Sequence, residues 1–117
     1  MGSLSHQSTT IEINDNVQAK LLLKRMCKAI SNTHNLHINF ISYPDGMAGI
    51  ISENNELGIV ILPTKSYKAF FKSASDLVNA LLIPGSILSF KEMEISIDKE
   101  FGYALEEIMI KLDLMKV

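Results

Sequence analysis

The sequence predicts an α+β fold: a single domain, ordered α-β-β-β-α-β(β)-α, with an antiparallel meander sheet packed with three helices. Three observations lead there. Apolar residues recur at helical spacing in three separate stretches. Between them lie short runs that alternate or are rich in β-branched residues. Proline, glycine, asparagine and aspartate cluster at the junctions, where chains turn. The 117 residues, 47% apolar and 21% charged, suit one domain able to bury its own core.

The first helix is predicted from about Asn16 to Ser31, with Asn14 or Asp15 as cap. Ala19, Leu22, Leu23, Met26 and Ile30 share its apolar face, whereas Lys20, Lys24, Arg25 and Lys28 lie opposite. Val17 and Leu21 fall on the basic side. Leu36, Ile38 and Phe40 then alternate with His37, Asn39 and Ile41 as in a half-buried strand, and Tyr43-Pro44-Asp45-Gly46 supplies a turn. Met47–Ser52 and Leu57–Leu62 complete the meander, joined through Glu53-Asn54-Asn55-Glu56.

From Thr64 to Leu82 the helical wheel gathers Tyr67, Phe70, Phe71, Ala74, Leu77, Val78, Leu81 and Leu82 on one face, so a single middle helix is expected. Ser73 and Asp76 are spaced like a capping box, which leaves two shorter helices as the alternative. Pro84-Gly85 ends the element. In Ile87–Ile97, Leu88 and Phe90 are out of register with Met93, Ile95 and Ile97, which implies a bulge or tight corner at Lys91-Glu92. Asp98 is placed as the cap of a last helix whose main apolar face is Phe101, Ala104, Leu105, Ile108, Leu112 and Met115.

Residues 1–10 are small and polar and are expected to be a flexible tail before a domain at 11–117. They lack the pattern of a secretory signal, and His6 stands where a myristoylation site wants Ser or Thr. No apolar run approaches the roughly 18 residues of a membrane span. The single cysteine, Cys27, has no partner for an internal disulfide, so a cytoplasmic setting is expected.

The search for chemistry yields little. His34-Asn35-Leu36-His37 has ligand spacing only if helical, and no third ligand accompanies it, so no metal is assigned. Cys27 lies at the edge of a buried helix face and reads as a core residue. Asp45, Glu53 and Glu56 read as solvated loop acids. Phosphate loops, nucleophile elbows and zinc-protease motifs do not occur, so no catalytic residue or cofactor is assigned and a non-enzymatic role is expected. A small enzyme with a site near His34, His37 and Asp45 is the remaining catalytic alternative.

Two surface features stand out. Lys65, Lys68 and Lys72 form a second basic stripe on the predicted middle helix and, with Lys20, Lys24, Arg25 and Lys28, a surface that fits an anion or an acidic partner. The formal net charge of -2 and the shortage of stacking aromatics weigh against nucleic acid. On the last helix Tyr103, Ile110 and Leu114 make a second apolar line, and Ile50, Ile51, Ile59, Val60, Ile61 and Leu62 make the central strands apolar on both faces. Helices on both sides of the sheet would cover that surface within one chain. Otherwise it is an interface, and the sequence is read as a protein-binding module that forms a homodimer.

The order of elements, with the last strand split at Lys91-Glu92, is similar to that of class I type III secretion chaperones, small dimers that hold extended segments of effector proteins. The likeness lies in element order and is carried by no residue motif. Size and the shortage of catalytic motifs also suit an immunity protein that neutralises a toxin. Both are fold-level analogies.

Overall fold

Helix α1 runs Asn16–His34, and Asp15 caps it, its carboxylate accepting the N–H of Val17 at 2.8 Å. The computed structural model describes residues 13–101. Ala19, Leu22, Leu23, Met26 and Ile30 are all buried, as the periodicity predicts, and Cys27 joins them. The helix ends at Asn35, whose φ of 53° is the left-handed cap conformation that asparagine adopts readily.

Four strands joined by three tight reversals follow: β1 (Ile38–Ser42) to β2 (Ala48–Ser52), β2 to β3 (Ile59–Ile61), and β3 to β4 (Tyr67–Lys68). Each turns in the same way. The N–H of Tyr43, Ser52 and Leu62 donates to the carbonyl four residues on, at 2.9 Å in every case. Inside each loop the N–H of Gly46, Asn55 or Lys65 donates back to the first residue's carbonyl, and that donor has positive φ: 94°, 63° and 67° respectively. This is the three-residue hairpin loop, a type I turn closed by a left-handed residue.

The third loop corrects the sequence reading. Residues 64–73 are not helical. Pro63 occupies the second position of a turn, a place its fixed φ suits, and Lys65 takes the left-handed position. The true helix α2, Ala74–Leu82, starts at Ser73, whose hydroxyl accepts the Asp76 N–H at 3.1 Å. The apolar spacing of Tyr67, Phe70 and Phe71 coincided with a helical phase but belongs to extended chain: Tyr67 is exposed, Phe70 half-buried and Phe71 buried.

Strands β5 (Ile87–Phe90) and β6 (Met93–Ser96) form a last hairpin with Lys91 and Glu92 at its corner, and a further helix begins at residue 97. Asp98 lies inside that helix's first turn rather than capping it; its carboxylate accepts the Gly85 N–H at 2.7 Å. The observed order, α-β-β-β-β-α-β-β-α, is α+β with β4 added. The strands fall into a two-stranded sheet, β1-β2, and a four-stranded sheet, β4-β3-β5-β6, both antiparallel. The second edge of β2 joins them: Ile51 bridges Leu57, and Ala48 bridges Phe71 through bonds of 2.8 and 2.9 Å. Residues 67–71 thus fill the gap where β2 and β3 diverge. Gly49 permits this closeness, since a Cβ there would lie 2.8 Å from the Ala69 carbonyl oxygen.

The core lies between the sheets and the helices. Val60, Leu88 and Ile95 stand opposite one another in register and are buried, alongside Leu22, Leu77 and Leu81 from α1 and α2. Each such side chain contributes about 1.5–3 kcal/mol through burial. Asn79 anchors the entry to the fold, exchanging bonds of 2.8 and 3.0 Å with the backbone of Ile13.

Candidate interaction surface

Alternation along the four-stranded sheet separates its two faces. Val60, Leu88 and Ile95 face the core; the residues between them face away. Register places Tyr67, Ile61, Ile87 and Ser96 in one row across all four strands of that outer face, and Ile59, Ser89 and Glu94 in the next. Antiparallel sheets usually carry polar residues on the side away from the core. Here the first row is tyrosine, isoleucine, isoleucine and serine. Tyr67 is 67% exposed and Ile59 42% exposed, while Ile61 and Ile87 are half-buried. The second row continues into a groove of about 790 Å³ whose lining includes Leu57, Ile59, Phe90 and Met93 together with the charged Glu56, Lys91, Glu92 and Glu94. The Glu56 carboxylate accepts the backbone N–H of Lys91, which ties the β2–β3 loop to the β5–β6 corner.

A smaller apolar hollow of about 470 Å³ lies between the β1–β2 loop and Phe70, lined by Tyr43, Pro44, Asp45 and Met47. Tyr43 meets Phe70 edge to face, with ring centroids 5.5 Å apart.

The residues singled out for other chemistry are not brought together. His34 Nε2 lies 2.7 Å from Glu100 Oε1, an interhelical pair. His37 is exposed at the start of β1, and Asp45 sits past its other end, across roughly 20 Å of extended chain, where it accepts the Met47 N–H at 3.0 Å. The three do not converge. Among the described residues no group of three His, Cys, Asp or Glu side chains is placed to hold a metal ion. Burial pushes the Cys27 thiol up to about 12, away from the reactive thiolate.

Lys20, Lys24, Arg25 and Lys28 are exposed along α1 as expected. Lys65, Lys68 and Lys72 do not form a matching helical stripe. Lys65 lies in the β3–β4 loop, Lys68 in β4 with its Nζ 5.6 Å from the centre of the Phe71 ring, and Lys72 just before α2. Tyr103, Ile110 and Leu114 lie outside the described residues, as do residues 1–10. No helix among the described residues is long and apolar enough to cross a membrane.

Sequence reasoning marked Ile59 and Ile61 as surplus apolar residues but missed Tyr67, which it placed in a helix core, and Ile87. The available signal was Leu62-Pro63-Thr64-Lys65, which repeats the position of proline in Tyr43-Pro44-Asp45-Gly46. In comparisons with known proteins, no family model, no curated protein and no solved structure matches the chain.

Proposed function

We propose that the protein is a non-catalytic protein-binding module, in the manner of a chaperone, adaptor or immunity protein, that works as a homodimer and holds its partner against an apolar helix-and-sheet surface. The observation that supports this reading is the row Tyr67, Ile61 and Ile87, with Ile59 beside it, on the face of the sheet turned away from the core. Covering side chains of this size contributes about 1.5–3 kcal/mol each where burial is complete, so a few of them anchor a contact. Tyr103, Ile110 and Leu114 are the helical part of the proposed surface.

The test is affinity capture from the source cell with the wild-type chain and with an Ile59→Glu, Tyr67→Glu variant. A protein retained by the first and lost by the second, with the variant's circular dichroism unchanged, supports the reading. Retention of the same proteins by both chains refutes it.

A further inference from the structure

We infer that two copies of the chain join through the outer edge of β1, pairing antiparallel about a two-fold axis at Phe40 so that the β1-β2 sheet continues from one copy into the other. The inference rests on the homodimer reading and says where the joint lies.

The bonding pattern identifies the free groups. The Glu53 N–H donates to the His37 carbonyl at 3.0 Å, and the Tyr43 N–H to the Met47 carbonyl at 2.9 Å. Both agree with the β1–β2 register, so odd-numbered residues of β1 direct their backbone groups to β2. Even-numbered residues direct theirs to the opposite side. The Ile38 N–H confirms it, since it donates to the Ser31 hydroxyl at 3.1 Å rather than to β2. Among the described residues no strand pairs with β1 on that side, which leaves the backbone groups of Phe40 and Ser42 and the Ile38 carbonyl directed outward.

Chemistry favours pairing there. Edge strands are normally guarded by charge or proline. The sequence of β1, Ile-Asn-Phe-Ile-Ser, has neither and is rich in strand-forming residues. The groups are also self-complementary: a two-fold axis at Phe40 sets Phe40 opposite its own copy and Ile38 opposite Ser42. The central pair exchanges both bonds, and each Ser42 N–H meets an Ile38 carbonyl without disturbing the Ser31 bond. Phe40 is half-buried in one copy, on the same face as buried Ile38, so the pairing covers its ring and extends the core layer. An interface of identical halves is the commonest form of homodimer.

Hydrogen-bonded antiparallel partners have Cα atoms about 5.5 Å apart, within the range of a disulfide. Phe40→Cys is therefore expected to give a covalent dimer under mild oxidation, whereas Asn54→Cys, on an exposed loop, is not; buried Cys27 does not compete. In sedimentation equilibrium the wild-type chain is expected at twice its 13.0 kDa mass, and Phe40→Lys at least about tenfold weaker in self-association. A wild-type dimer in which Phe40→Cys cross-links no faster than Asn54→Cys overturns the β1 joint and leaves the homodimer standing. A wild-type monomer at all concentrations, or one whose β1 pairs only with a different protein, overturns both.

Discussion

His34 Nε2 and Glu100 Oε1 lie 2.7 Å apart, joining the last turn of α1 to the helix that begins at residue 97. His34 is 28% and Glu100 11% exposed, so the pair is partly shielded from water without being fully desolvated. Ile97 and Phe101, on the same helical segment as Glu100, are buried in the core. A double-mutant cycle of His34→Ala and Glu100→Ala is expected to give a coupling of about 0.5–1 kcal/mol. Additive single effects in urea melts would mean that the contact contributes nothing.

Cys27 gives the fold a pH signature. Burial raises its thiol from 9.0 to about 12, so above pH 9 the unfolded chain loses a proton that the folded chain keeps. Stability linked to this group is flat below that pH. It falls as pH rises from about 9 to 12, at a slope approaching 1.4 kcal/mol per pH unit. Urea midpoints measured across pH 8–10.5 for wild type and Cys27→Ala test it: the alkaline loss is expected to be shallower in the variant. Native Cys27 is also expected to resist alkylation until the chain unfolds.

The hairpin loops offer a matched comparison, because three residue types occupy one backbone role. Gly46 carries φ +94°, and an added Cβ would meet only the Lys72 carbonyl oxygen at 3.6 Å, an ordinary contact. Gly46→Ala therefore isolates the backbone cost and is expected to destabilise by about 1 kcal/mol or more. Lys65→Gly, at φ +67°, is expected to stabilise by up to about 1 kcal/mol. Chemical denaturation of both variants reads the two signs.

Ser73 marks the true start of α2. Its hydroxyl serves the Asp76 N–H, so Ser73→Ala is expected to cost about 1 kcal/mol, as an N-cap does. Were residues 64–82 one helix, the same substitution would fall mid-helix and cost nothing. Thermal melts distinguish the two.

The contrast between α1 and residues 64–73 shows where the sequence was legible. In α1 the cap, the apolar stripe and the basic stripe agreed, and Asp15, Leu22 and Lys24 lie where the wheel places them. Around Tyr67 two signals conflicted. Spacing favoured a helix, while Pro63 and the capping pair Ser73 and Asp76 favoured a turn and a fresh start. The left-handed loop position held lysine instead of glycine or asparagine, so its turn chemistry was concealed. The partition of strands into two sheets was also hidden, because it depends on Phe71 reaching Ala48, a long-range bridge that local pattern does not encode. Of the surface, Ile59 and Ile61 were legible as surplus apolar residues; the row they share with Tyr67 and Ile87 needed the register.

Calorimetric titration of the captured partner against the wild-type chain and the Ile59→Glu, Tyr67→Glu variant addresses the sheet face directly. Apolar burial predicts a negative heat-capacity change for the wild type and binding weakened at least about tenfold in the variant, with the melting temperature held. Equal affinity for both chains, or a variant that unfolds because those side chains belong to the chain's own core, would contradict the account.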